Sequence, residues 1–181
     1  MFDLPIGEIL DAMTRAPVRH AAMVHLPIAV SMLGLMGLLG LVLTRGRSKT
    51  LRYGCVAIYA IGALAGWMAH GAGEEALALL DTSVMTEPAL ERIETHESMG
   101  ERVWIWLAVT AVITVITGFA GQESRLKMVV LTLAVLAGIG ASVYVAVTAH
   151  HGGTLVYEYG VGTPASPNNL GHHGPHLSEP D

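Results

Sequence analysis

Four long apolar runs, separated by polar stretches, dominate the hydropathy pattern of this chain. Each run is long enough to cross the roughly 30 Å hydrocarbon core of a bilayer as a helix that rises 1.5 Å per residue. The pattern predicts helices over residues 21–44, 53–70, 103–121 and 128–149. The second helix should continue to about Leu80, and the third should begin near Pro88, where proline fits a first helical turn. The predicted fold class is therefore an all-α integral membrane protein with a four-transmembrane-helix bundle.

The two ends of the chain have other patterns. Residues 1–19 place apolar side chains at helical spacing, which indicates an amphipathic helix on the membrane surface. After the fourth run, Gly152 and Gly153 predict a helix end, and 154–159 a short strand or extended segment. The resulting division is an interfacial segment 1–19, a transmembrane domain 20–162 and an extended, flexible tail 163–181, which carries His172, His173 and His176.

Composition supports the membrane class and narrows the chemistry. Of 181 residues, 52% are hydrophobic and 14% charged, which is too apolar for an ordinary soluble domain. The net charge of −5 and the lack of a basic patch exclude nucleic acid as an expected partner. The single cysteine, Cys55, permits no intramolecular disulfide. Without Cys-x-x-Cys-His, any haem would be held without thioether bonds.

Basic residues predict the orientation. The loops after the first and third runs are rich in lysine and arginine, which favours the cytoplasmic side. These residues are Arg45, Arg47, Lys49, Arg52, Arg125 and Lys127. Both termini and the 71–102 segment should then face outward, on the side away from the cytoplasm.

Each of the four apolar runs carries a histidine near its predicted outer end. Counted from the cytoplasmic end at 1.5 Å per residue, His25 and His70 lie about 28 and 26 Å up. A higher tier lies at about 33 to 37 Å, and it contains His20, His96 and His150. Histidines at a membrane helix usually face the bundle interior or a bound group. The concentration of histidines at the outer ends of the runs is therefore the main functional signal.

Imidazole is an axial ligand of haem iron, and ligand sites in bundles use side chains from facing helices. We expect one b-type haem near the outer surface, held by two of the histidines His25, His70, His96 and His150. His20 and His151 are weaker candidates. Glycines below His70, at Gly62 and Gly66, would leave room for a porphyrin.

Two alternatives stay open at this point. Copper or iron could bind instead, because methionine thioethers accompany histidine in segments such as Met23-Val-His25 and His96-Glu-Ser-Met99. The histidines could also be interfacial side chains of a cofactor-free accessory subunit, with the glycines serving helix packing. No Ser-His-Asp arrangement, phosphate loop or dinucleotide fingerprint is present, so we expect an electron-transfer or accessory subunit rather than a stand-alone enzyme.

Three segments resemble the bacterial membrane family called domain of unknown function 2231. They are the stretch from His20 through His25-Leu-Pro27-Ile-Ala, His96-Glu-Ser-Met-Gly100, and Gly152-Gly-Thr-Leu-Val-Tyr157 followed by Gly160-Val-Gly162. The resemblance covers about residues 18–163 and implies four transmembrane helices. Some relatives are joined to c-type cytochrome domains, which implies redox work. Because the family is bacterial, the resemblance also implies a multi-pass protein of the inner membrane, with both termini in the periplasm. The expected partners are the lipid bilayer and other membrane subunits, including c-type cytochromes.

Overall fold

The computed structural model describes residues 6–120 and 125–163, and all its regular elements are helical. Six α-helices follow one another along the chain: α1 Ile6–Thr14, α2 Ala16–Met23, α3 His25–Leu43, α4 Lys49–Leu77, α5 Glu87–Ile116 and α6 Arg125–Tyr157. A short 3-10 turn, Thr82–Val84, precedes α5. A helix within the segment 1–19 is confirmed as α1, which buries none of its side chains within the chain, but the first candidate span already begins in that segment, at Ala16. The tail 164–181, with its three histidines, and residues 121–124 lie outside the described residues.

The helices α3 to α6 form the predicted bundle. Each packs against the next, and α6 closes the ring by packing on α3, while α2 lies against α4. Four segments are long and apolar enough to cross a membrane: Ala16–Leu43, Lys49–Leu77, Glu87–Ile116 and Arg125–Tyr157. The chain is therefore an all-helical membrane protein with four candidate spans.

The first span is interrupted between α2 and α3. Proline has no N–H to donate and its ring crowds the carbonyl four residues earlier, so Pro27 disturbs the helix at Met23. Val24 keeps helical dihedral angles, and its N–H donates to the His20 carbonyl at 3.1 Å. The two segments therefore stay nearly continuous, but His20 belongs to α2 and His25 begins α3.

The middle of the bundle is built around Tyr59, which is fully buried. A Cβ on Gly34 would lie 2.6 Å from its ring, and one on Gly138 would lie 2.7 Å from its hydroxyl oxygen. These two glycines bring α3 and α6 close to the tyrosine on α4, as small residues do between membrane helices. The surrounding core is formed by Leu38, Cys55, Val103, Leu107, Ala111, Ala134, Ala141 and Val145.

The fourth span does not end where the sequence predicted. The expected break at Gly152 and Gly153 and the extended segment after them are wrong, because α6 continues to Tyr157. The turn that follows the helix contains Gly160, which has a φ of 66°. Gly160 N–H donates to the Val156 carbonyl and Val161 N–H to the Leu155 carbonyl. The first of these bonds is that of the αL capping motif, in which glycine adopts the left-handed conformation without the cost that a Cβ brings.

The connection between α4 and α5 is ordered by Asp81. Its carboxylate accepts hydrogen bonds from the backbone N–H and the hydroxyl of Ser83, at 3.0 and 2.6 Å. These bonds, with the hydroxyl contributing most, hold the pKa of Asp81 below its ordinary value. The helix that follows starts at Glu87, as the position of Pro88 predicted.

Candidate functional site

At the predicted outer end of the bundle, two histidines from different spans meet. The rings of His20 on α2 and His96 on α5 have centroids 6.2 Å apart and are perpendicular. Both side chains are half-buried. The sequence placed these two residues at similar heights in the membrane, and in the structure they are in contact although their helices are distant in sequence.

Each of these imidazoles is held by a backbone carbonyl of a third or fourth helix. His20 Nδ1 lies 2.8 Å from the Ala69 carbonyl oxygen on α4, and His96 Nδ1 lies 3.1 Å from the Thr148 carbonyl oxygen on α6. A carbonyl can only accept, so Nδ1 carries the proton and donates in both bonds. In the neutral imidazole the other nitrogen, Nε2, then keeps its lone pair. All four spans therefore contribute to positioning this pair.

Two glycines make space for the rings. A Cβ on Gly73 would lie 3.0 Å from His20 Cε1, and one on Gly152 would lie 2.8 Å from His96 Cε1. Each glycine follows the carbonyl that binds the histidine by four residues, which is one helical turn. The same arrangement thus occurs twice, on α4 and on α6, and this explains why Gly152 lies within a helix rather than at its end.

A second group of polar side chains lies one turn further out. Arg92 Nη1 donates to His151 Nδ1 at 2.5 Å, so the Nε2 atom of neutral His151 carries the proton. The pair borders a cavity of about 340 Å³ between the start of α5 and the end of α6. The cavity is lined by Pro88, Glu91, Arg92, Thr95, His151 and Tyr159.

The other candidate histidines lie apart from the pair of rings. His25 is exposed, and its Nδ1 donates to the Ala21 carbonyl within its own segment of chain at 2.7 Å. His70 is mostly buried, with Nε2 at 3.7 Å from Glu74 Oε1. His150 is exposed, and its ring centroid is 6.1 Å from that of His151. Of the four preferred ligands, the structure brings His96 to the pair, together with the weaker candidate His20.

The donor set of this site consists of two nitrogens. Within residues 6–120 and 125–163, no three side chains of His, Cys, Asp or Glu are grouped so that they could hold a metal ion. Two imidazoles bound to one metal at about 2 Å have ring centres roughly 5 to 6.5 Å apart, which agrees with the separation of His20 and His96. This separation is compatible with two nitrogen ligands for a group that brings its remaining ligands itself.

The glycines expected to make room below His70 have another role. A Cβ on Gly62 would lie 2.4 Å from Val30 Cγ2, and one on Gly66 would lie 3.2 Å from Val103 Cγ1. Side chains of α3 and α5 therefore occupy that face, and the expected space for a porphyrin there is wrong. These glycines serve close helix packing, the alternative that the sequence left open.

Sequence reasoning did not identify Gly73, Arg92 or Tyr159 as parts of the site, and it took Gly152 for a helix end. One signal was available. Met23 and Met99 each follow a histidine of the pair by three residues, so that His-x-x-Met occurs in two different spans. This repetition singles out His20 and His96 among the nine histidines.

Comparison with known proteins places the chain in a family. No curated protein and no solved structure gives a match. Residues 16–165 match the DUF2231 family, described as predicted membrane protein, and this range contains all four candidate spans. The chain therefore belongs to the DUF2231 family of membrane proteins.

Proposed function

We propose that this protein is a membrane-embedded electron-transfer subunit that carries one b-type haem between His20 and His96, near its outer end. The observation that supports the proposal most is the pairing of these two imidazoles from separate spans, 6.2 Å apart, with both Nδ1 atoms bonded to carbonyls. Ligand histidines commonly donate the second ring N–H to a carbonyl or carboxylate, which fixes the tautomer and the ring orientation.

The number of donors favours haem over a bare ion. Structural zinc sites use four protein ligands and catalytic ones three, and the described residues offer no such group. Haem iron needs at most two ligands from the protein, because the porphyrin supplies the other four. When bound, the haem would supply one-electron oxidation and reduction. The chain itself orients the two imidazoles through Ala69 and Thr148 and limits their movement through Gly73 and Gly152.

The location determines the kind of partner that we propose. With the basic loops on the cytoplasmic side, the histidine pair lies at the periplasmic face of a bacterial inner membrane. Electrons would pass there to or from a periplasmic carrier such as a c-type cytochrome. The exposed apolar side chains of the spans, among them Leu33, Leu64, Val112 and Leu136, contact lipid and can contact other membrane subunits.

The test is the haem content of the purified protein, measured from the reduced-minus-oxidised spectrum and the pyridine haemochrome. The wild type should contain close to one haem b per chain. His20→Ala and His96→Ala should each lower that content at least about tenfold, because each removes an iron ligand. His25→Ala and His150→Ala are matched controls at exposed histidines, and they should keep the haem.

Loss of haem in the control variants but not in His20→Ala would contradict the assignment of the ligands. Wild-type protein from native membranes that contains no haem would contradict the proposed electron-transfer function.

Metal analysis of that haem-free sample then shows whether the protein binds copper instead. Copper has support of its own, because Met23 and Met99 lie on the same helical faces as His20 and His96, three residues further along. A sample free of haem and of metal would favour a structural accessory subunit.

A further inference from the structure

We propose that the cavity between the start of α5 and the end of α6 is a binding site for a carboxylate. Its central residue is Arg92, a guanidinium with five N–H donors in a planar fork that matches a carboxylate. Among the described residues its one hydrogen-bond partner is the neutral ring of His151. Four donors of a half-buried cation therefore remain for a ligand.

Two other groups that line the cavity, on His151 and Tyr159, are donors as well. Because His151 Nδ1 accepts from Arg92, the remaining nitrogen of the neutral ring presents an N–H. Tyr159, two residues beyond the end of α6, also lines the cavity and adds a phenolic hydroxyl. Thr95 uses its one hydroxyl proton on the Glu91 carbonyl, at 2.9 Å within α5, so it offers no donor to a ligand. A set of N–H and O–H groups around one cation selects an oxyanion.

Glu91 is the one carboxylate of the lining, and it is exposed. No ion pair within 4.0 Å joins it to Arg92 in the part of the chain that the structure describes. Arg92 is therefore not held in a direct ion pair with Glu91, and its guanidinium donors stay open to a ligand. The volume of about 340 Å³ is sufficient for a small organic acid or for one carboxylate arm of a larger molecule.

The cavity adjoins the histidine pair. Arg92 precedes His96 by one turn of α5, and His151 precedes Gly152, which packs on the His96 ring. Two sources of the carboxylate fit this position. One is a small organic acid from the aqueous phase, and the other is a propionate of the haem, which rests on the proposed function.

Calorimetric titration of the full-length protein in neutral detergent, prepared without haem, tests the site with succinate as the probe. Wild type should bind succinate. Arg92→Gln should weaken binding by about tenfold or more, as expected for loss of a charged hydrogen-bond donor. Arg102→Gln removes the same charge from an exposed position on the same helix and should have no effect. Tyr159→Phe, a second variant that keeps Arg92, should weaken binding by a smaller factor.

A second titration compares haem b with its dimethyl ester, whose propionates are blocked. If a propionate is the ligand, wild type should prefer the free acid about tenfold, and Arg92→Gln should lose this preference. If succinate binding depends on Arg92 but haem b and its dimethyl ester bind equally well, the ligand of the cavity is a small organic acid from the aqueous phase. The proposal is overturned if Arg92→Gln, correctly folded by circular dichroism, changes neither measurement. If neither haem compound binds, only the proposed haem function is contradicted. The succinate titration still tests whether the cavity binds a carboxylate.

Discussion

Two consecutive glycines on α6, Gly152 and Gly153, provide a matched test of the contact between the His96 ring and the α6 backbone. A Cβ on Gly152 would press on the His96 ring, whereas one on Gly153 would meet nothing within 4 Å. Gly152→Ala should therefore displace the ring from Thr148 and lower the free energy of unfolding by about 1 kcal/mol for the lost hydrogen bond. Gly153→Ala should raise it by up to about 1 kcal/mol, because alanine favours helix over glycine.

Thermal unfolding of both variants in the same detergent makes this comparison. We expect the melting temperature of Gly152→Ala to fall below that of Gly153→Ala. Equal melting temperatures would mean that the His96 ring is not fixed by the α6 backbone. The haem content of Gly152→Ala should fall too, because the same substitution moves a proposed ligand.

Asp81 gives a pH dependence outside the spans. Hydrogen bonds from Ser83 lower the pKa of the folded carboxyl, so the unfolded chain binds this proton more readily. The resulting stabilisation is complete above the ordinary aspartate pKa, about 3.9, and is lost as the pH falls through the folded pKa. Ser83→Ala should raise the pKa of Asp81 in an NMR titration, and Thr82→Ala next to it should leave the pKa unchanged. A pKa that stays low in Ser83→Ala would show that the hydroxyl is not its main cause.

Between elements, the positions of α3, α4 and α6 depend on how closely glycine approaches Tyr59. A Cβ on Gly138 would lie 2.7 Å from the tyrosine oxygen and 2.8 Å from Leu38 Cδ1, whereas one on Gly140 would meet nothing within 4 Å. Gly138→Ala should therefore force the helices apart and cost about 1 to 3 kcal/mol, the usual range for overpacking a core. Gly140→Ala, half a turn away on the same helix, is the control and should not destabilise the protein. Equal stability of the two variants would exclude a tight packing of α6 on Tyr59.

The break between α2 and α3 has a consequence for the site. Because Pro27 interrupts the span, α2 forms a separate segment that packs on α4, and this contact brings His20 to the Ala69 carbonyl. His25, five residues later, starts the next helix and remains exposed. The two neighbouring histidines therefore lie in different environments, and the one ranked as the weaker ligand, His20, is the one that reaches the site.

At the scale of the whole molecule, the sequence predicted the helices and the heights of the histidines, but not the faces on which they lie. In a membrane helix, both the lipid-facing side and the buried side are apolar, so the hydropathy pattern carries little information about rotation. This is why His25 and His150 could not be distinguished from His20 and His96 by composition alone. The helix end at Tyr157, before the turn at Gly160, was missed because Gly152 and Gly153 gave the same local signal, and only the contact with His96 explains Gly152.

The orientation of the protein in the membrane determines which compartment the histidine pair faces, and one labelling experiment can measure it. The basic loop between α3 and α4 predicts that Thr50 faces the cytoplasm and Thr82 the periplasm. Both positions are exposed, and neither substitution removes a basic residue. In intact spheroplasts, a membrane-impermeant maleimide should label Thr82→Cys at once, and Thr50→Cys only after permeabilisation. The native Cys55 is 1% exposed, so the wild type is an unlabelled control. The opposite labelling would place the histidine pair and the Arg92 cavity on the cytoplasmic face, where a periplasmic electron carrier could not reach them.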